Sequence, residues 1–281
     1  MEWKEEKAFH KQTGEHLSVT FEKMSKSKYN GVDPHKVVSQ FGADTTRLFI
    51  LFKAPPQNAL EWDDSAIQGQ HRWICRMWNL AHKYIQHYKQ NKSSFSSQCP
   101  PKEQQRLLKC LNETVESVTK DIEEHYAFNT AVSSLMKLSN ELVSFSAQQQ
   151  VFPSKTFHEC LLSFVLMLSP MAPHFSAEVW QMLREEGPPH PLLQSHSDIL
   201  FAEWPTFDQE LKKSHSVVVV VQVDGKKRAL LDIPTSLIAQ PQEIEKLAQS
   251  EKNVQKHLEG KKVKKVIVAE SGKSINFVLE K

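Results

Sequence analysis

The sequence predicts a mainly α-helical protein: an antiparallel helical bundle, preceded by a strand, loop and helix segment and followed by a small α+β (ββ-α-ββ) domain. Three observations carry this reading. Apolar residues recur at helical intervals through long segments between residues 63 and 186. Proline, glycine or polar runs separate those segments by short connections, which suits antiparallel neighbours. The last 70 residues switch to runs of β-branched side chains around an Asp224-Gly225 pair. The expected divisions are 1–60, 61–211 (bundle plus linker) and 212–281.

Taken in order, LSVTFE at 17–22 alternates apolar and polar side chains and reads as a strand entering a lysine-rich loop. After Asp33-Pro34, HKVVSQFG has helical spacing and stops at Gly42, a C-cap position. Asp44 is then placed to N-cap TTRLFILF, whose run ends at Ala54-Pro55-Pro56. Asp63-Asp64 opens a helix to about Tyr88, and Pro100-Pro101 opens the next after the loop NKSSFSSQCPP. Leu107 to Ile122 and Ala131 to Val143 keep the helical interval, and TFHECLLSFVLML at 156–168 is apolar nearly all round, as a central helix is. HFSAEVWQMLREE follows and stops at Gly187-Pro188-Pro189; 188–211 reads as a linker or an irregular wrap. Beyond it lie a hairpin turning at Asp224-Gly225, a helix over 241–258, and a second hairpin, VKKVIVAE, SGKS, INFVLE.

Composition excludes several classes. No stretch approaches 18 apolar residues in a row, so no membrane span is expected. The opening MEWKEEKAFHKQTGEH shows no apolar targeting core. Cys75, Cys99, Cys110 and Cys160 form no C-x-x-C pair, which argues against a zinc site or a disulfide framework and fits a reducing compartment. Residues 212–281 hold 14 Lys/Arg against 8 Asp/Glu, a net of +6, leaving 21 against 25, a net of −4, for the first 211. That asymmetry points to a polyanion partner for the basic part, or to a solvated lysine-rich surface.

The lysine loop, FEKMSKSKYNGVDP at 21–34, contains Lys23-Met24-Ser25-Lys26-Ser27. Ammonium groups on a mobile loop suit phosphoryl chemistry, because negative charge grows on a departing phosphate group. Lysine is a compact charge on a flexible stem, the hydroxyls of Ser25 and Ser27 add donors, and Gly31 is expected to permit the turn. The competing reading is a solvated basic loop.

K-M-S-K-S is the second signature of class I aminoacyl-tRNA synthetases. With FGADTTRLFILFKAPPQNALEWDDSAIQGQHRWICRMW after it and VQVDGKKR and GKKVKKVIV in the tail, the chain resembles the bacterial and organellar branch of leucyl-tRNA synthetases along nearly its whole length. The resemblance implies that Lys26 and Lys23 are catalytic and that Lys23, Met24, Ser25, Lys26 and Ser27 hold ATP, brought with Mg2+ as a substrate. No resident metal is expected. It implies that 1–60 ends a catalytic core with a stem-contact segment, that 61–211 is an anticodon-binding-type bundle, and that 212–281 reaches the tRNA elbow. The implied partners are leucine-specific tRNA, ATP, and leucine through an N-terminal catalytic domain, in a monomer. Helix composition suggests an animal mitochondrial matrix enzyme, with a bacterial cytoplasm as the alternative.

H-I-G-H, the other signature of the class, occurs nowhere, and no Rossmann-type succession precedes the loop. The expectation is therefore a C-terminal portion that does not charge tRNA alone. Two rivals stand: a valyl, isoleucyl or methionyl ligase, and a non-catalytic tRNA-binding protein derived from a synthetase. Nucleic-acid contact is assigned to Lys226, Lys227 and Arg228 after the hairpin turn, and to Lys261, Lys262, Lys264 and Lys265 at the last hairpin, together making one basic patch. Strict alternation sets Lys262 and Lys264 on one face and Lys265 on the other. Asp44 and Arg47 are expected to cap and brace a helix, with acceptor-stem contact a further role for Arg47. Trp62, Trp73 and Trp78 are read as core, and His71, His82 and His87 as surface or interface residues.

Overall fold

The computed structural model describes residues 2–4, 7–92, 95, 99–148, 151–152, 154–212, 216–234, 237, 240–269 and 273–279. They form a mostly helical protein with two small sheets, in two compact units, Met1–Phe207 and Asp208–Lys281.

The first unit opens with a feature the sequence did not announce. Strands β1 (Glu2–Lys4), β2 (Lys7–Phe9) and β3 (His16–Leu17) pair antiparallel in that order. Of the strand expected over 17–22, only Leu17 is in β3; residues 18–22 run without a ladder partner. Helix α1 (Pro34–Phe41) is capped by Asp33, whose carboxylate accepts the His35 N–H, and ends at Gly42 with φ 85°. Helix α2 (Ala43–Lys53) starts two residues earlier than expected, so Gly42 is its N-cap and Asp44 lies in its first turn.

Helix α3 (Asp64–Gln90) starts at Asp63, which accepts the N–H groups of Ser65 and Ala66. Hydrogen bonds from the Ser65 hydroxyl and the Lys53 ammonium hold the Asp63 carboxyl well below the usual range. Helices α4 (Pro101–Glu123), α5 (Phe128–Phe145), α6 (Lys155–Leu168) and α7 (Pro173–Glu186) follow. In α6 every residue except Lys155 and Glu159 is buried, because α4, α5 and α7 all pack against it. Trp73 is core: its indole N–H donates to the buried Ser139 hydroxyl at 2.9 Å.

Two neighbouring residues make α2 the strut between two cores. Leu48 packs into the main helical core, while Phe49 joins Val37 and Ile67 beneath α1. A 100° step between successive helical residues is what divides them. After α7 the chain wraps the same unit through α8 (Pro191–Ser195) and a 3-10 turn at Ile199–Phe201. Trp180 donates to His196 O at 3.3 Å and Trp204 to Thr119 Oγ1 at 2.8 Å, which fastens the wrap.

The second unit contains α9 (Gln209–Lys212), β4 (Ser216–Val223), β5 (Lys226–Pro234), α10 (Pro241–Ser250), α11 (Lys252–Leu258), β6 (Val263–Val268) and β7 (Ser274–Leu279). The sheet order is β5-β4-β7-β6, with β4 and β7 parallel at the centre. Val219, Val221 and Val223 alternate inward to meet Ile244, Ala248 and Val254 of the two helices. Asp224 (φ 50°) and Gly225 (φ 74°) make the hairpin turn with the positive φ values it needs. The single helix expected over 241–258 is broken at Glu251, whose backbone is extended. Ser271 and Gly272 of the SGKS turn lie outside the described residues.

Candidate phosphate loop and nucleic-acid interface

The lysine loop is organised by Asn30. Its Oδ1 accepts the Ser25 N–H at 2.8 Å and its Nδ2 donates to Lys23 O at 3.3 Å, so one side chain fixes both ends of the Lys23–Ser25 segment. Ser25 and Ser27 hydroxyls lie 2.8 Å apart, and Lys26–Lys28 forms a 3-10 turn closed by Tyr29 N–H to Lys26 O. Tyr29, not Gly31, takes the left-handed conformation, at φ 52°. Its ring is almost fully exposed and carries no packing obligation that would resist the strained backbone. Lys28 is ion-paired to Glu22. Lys23 and Lys26 are exposed and meet no carboxylate among the described residues. Met24 is exposed beside them. The loop therefore presents two uncompensated ammonium groups rather than three.

Asp44 and Arg47, one turn apart on α2, clamp the turn between α6 and α7. Asp44 Oδ2 accepts the Phe175 N–H at 2.6 Å, and Oδ1 lies 2.8 Å from His174 Nδ1. Helix α7 has Ala172 at its N-cap and Pro173 at its first position, neither of which offers a side-chain acceptor, so Asp44 caps it from another helix. The N-capping of α2 expected of Asp44 is corrected accordingly. Arg47 donates from Nε to Met171 O at 3.1 Å and from Nη2 to Pro170 O at 2.8 Å. Those bonds favour the bracing role of Arg47 over its nucleic-acid contact, because its fork is directed at backbone carbonyls.

The basic residues of the second unit do not gather at one point. Lys226, Lys227 and Arg228 lie on edge strand β5; Lys264 and Lys265 lie on the opposite edge strand β6, with Lys261 and Lys262 just before it. Three inter-strand spacings set the two groups about 14 Å apart. That corrects the single patch to two. Each edge also carries a register shift: Arg228 is the extra residue against β4 and Lys264 the extra residue against β7. The bulge breaks the strict alternation expected at 262–265: Lys265 pairs opposite Val278, Lys264 has no partner position, and both are exposed. Among the described residues none of these lysines meets a carboxylate. Arg228 is half-buried and its Nε has no partner.

A basic site was missed by sequence reasoning. Arg72 and Arg76, four apart on α3, line a cavity of about 300 Å3 with Gly69, Met136 and Asn140, and Arg76 Nη2 donates to Asn140 Oδ1 at 2.9 Å. The i, i+4 pair on an exposed helix face was the available signal. The histidines of α3 contact side chains instead: His71 lies near Cys75 and Phe41, His82 against Trp78, His87 against Phe152. Trp62 packs edge-on against Phe49. No group of three or more His, Cys, Asp or Glu able to hold a metal occurs among the described residues. All four cysteines are free. Burial pushes the Cys110 thiol up to about 11 and the Cys160 thiol higher, so neither offers a thiolate.

Residues 17–63 match the family model for tRNA synthetases class I (I, L, M and V), and 104–243 match that for the anticodon-binding domain of tRNA ligase. The chain is 41% identical over 270 residues to leucine–tRNA ligase of Trichormus variabilis, across 95% of this chain and 29% of that protein. It is 38% identical over 271 residues to leucine–tRNA ligase of Gloeobacter violaceus, across 96% of this chain and 29% of that one. A solved ternary complex of Agrobacterium radiobacter K84 LeuRS, tRNA and LeuAMS superposes with a TM-score of 0.61 at 26% identity, over 92% of this chain and 32% of that one. The chain thus spans under a third of the length of the curated relatives it matches. No helix among the described residues is long and apolar enough to cross a membrane. Along nearly all of its length the chain is similar to one aminoacyl-specific group, the leucine–tRNA ligases, and its lysine loop lies within the stretch that matches the class I synthetase model.

Proposed function

We propose that the chain serves as the C-terminal portion of a leucine–tRNA ligase, which activates leucine with ATP and transfers it to the leucine-specific tRNA. The observation that carries this reading is the loop itself: Lys23 and Lys26 stand uncompensated on a segment fixed by Asn30, while Lys28 is neutralised by Glu22.

When leucine attacks the α-phosphate, charge grows on the departing pyrophosphate. Lys26, with Lys23 beside it, meets that charge, and the hydroxyls of Ser25 and Ser27 donate to the same oxygens. Met24 and the Tyr29 turn shape the loop. ATP arrives with Mg2+ as a substrate. The clamp of Asp44 and Arg47 holds α2, and with it the loop, against the helical core. The division at 1–60, 61–211 and 212–281 remains a proposal: catalytic-core end, tRNA-holding bundle and elbow-binding domain. Arg72 and Arg76, Lys226 to Arg228, and Lys261 to Lys265 supply phosphate contacts along the tRNA body. The protein acts as a monomer. Its relatives being cyanobacterial favours a bacterial cytoplasm, and the mitochondrial expectation finds no support among them.

The test is ATP–pyrophosphate exchange by the full-length polypeptide. Lys26→Ala should lower the leucine-dependent rate by about 10²-fold with little change in leucine KM. An unchanged rate overturns the reading, and preferential charging of valine, isoleucine or methionine would turn it toward another member of the class. Residues 1–281 alone should show no exchange. Affinity for tRNA without any nucleotide binding would favour the second reading, a tRNA-binding protein derived from a synthetase, for which the net charge of +6 over residues 212–281 is the supporting observation.

A further inference from the structure

The second unit holds a cleft of about 640 Å3 at the α10–α11 turn and the start of β6. Such a volume lies within the roughly 300–1,000 Å3 range of small-ligand sites. Its chemistry is mixed in an informative way. Leu258 and the partly exposed Val263 form an apolar wall on which a flat ring can rest. Lys252 and Lys256, one turn apart on the exposed side of α11, contribute two ammonium groups that meet no carboxylate among the described residues. Gln249 and Gln255 contribute amides. The Gln249 amide nitrogen already donates to Glu245 at 3.1 Å, which leaves its oxygen to accept from a ligand. Glu259 is the one acid lining the cleft, an acceptor suited to an exocyclic amino group and unsuited to a bare phosphate.

An apolar wall, amide and carboxylate groups that match a base edge, and separate cations for a phosphate together describe a nucleotide-binding site. We propose that this cleft takes one unstacked nucleotide from a loop of the bound RNA. The base lies against Leu258 and Val263, its edge meets Gln249, Gln255 and Glu259, and its phosphate meets Lys252 and Lys256. The proposal rests on the reading of the second unit as RNA-binding. Lys261 to Lys265 continue from the cleft along β6, so the strand leaving the site stays on a basic track.

The test uses the 281-residue chain and a leucine tRNA transcript, with equilibrium binding at several salt concentrations and 2′-hydroxyl acylation of the RNA in the complex. The double variant Gln249→Ala/Gln255→Ala should weaken binding roughly tenfold without changing the salt slope, since it removes no charge. One loop nucleotide protected by the parent chain should become reactive again. Lys252→Ala/Lys256→Ala should instead lower the salt slope by up to about 0.9, since the two lysines share one phosphate. If the parent chain binds the transcript and the glutamine variant changes neither affinity nor footprint, the cleft proposal is overturned while the RNA-binding reading stands. If the parent chain shows no affinity for the transcript, both fall. Capture of a peptide in place of RNA by the cleft overturns the proposal as well.

Discussion

The carboxylate of Asp44 accepts the backbone N–H of Phe175 at 2.6 Å across 131 positions of sequence. A residue in the first turn of one helix thereby supplies the cap that another helix lacks. Arg47, three positions later, holds the carbonyls of Pro170 and Met171 on the other side of the same turn. Asp44→Ala should therefore destabilise the protein by about 1–3 kcal/mol in urea unfolding, because a buried N–H loses its charged acceptor. Arg47→Ala should lower stability while leaving the salt slope of tRNA binding unchanged. A slope that falls by about 0.9 would restore Arg47 to the nucleic-acid interface.

His158 is buried against Tyr84 with both ring nitrogens unpartnered. Burial, and then the neighbouring His190, pushes its pKa down to about 3 from the ordinary 6.5. The unfolded chain takes up a proton as pH falls below 6.5, and the folded chain resists until about 3, so stability is complete above 6.5 and declines between those values. The slope approaches about 1.4 kcal/mol per pH unit. His158→Phe removes the titration. The variant should gain about 2 kcal/mol relative to the parent between about pH 7 and pH 4.5, read as the change in their difference in unfolding free energy. A difference independent of pH would refute this.

Gly187 ends α7 with an ordinary negative φ, so its need for glycine is one of space. A Cβ there would sit 2.6 Å from Leu183 O and 3.1 Å from Leu183 Cα, both backbone atoms that cannot step aside. Gly187→Ala should lower stability by at least about 1 kcal/mol. Unchanged thermal unfolding would show that the turn relaxes freely.

Lys264→Ala/Lys265→Ala should weaken tRNA binding and reduce the salt slope by no more than about 0.9 for each phosphate left without its lysine. Lys226→Ala/Lys227→Ala sits on the far edge of the sheet and should add independently. If neither pair alters the slope, these lysines serve only to keep the two edge strands from pairing with other chains.

Much of the helical order was legible because it is periodic and local. The starts at Asp63 and Pro101, the all-apolar α6, the stop at Gly42 and the turn at Asp224-Gly225 each rest on residues within one or two turns of one another. The loop signature was legible for the same reason. The β1–β3 meander escaped because its strands are two or three residues long, too short for an alternation to register. The break at Glu251 escaped because the apolar spacing on either side continues the same face.

By itself, then, the sequence determined which stretches coil, where they stop, and which lysines crowd one short loop, since dihedral preference and side-chain period act between near neighbours. Only the tertiary structure decided which of those lysines Glu22 silences, which helix Asp44 caps, and that four strands hold the basic residues apart in two groups. Partners of that kind are set by how separate elements pack and pair, and no local pattern specifies the pairing.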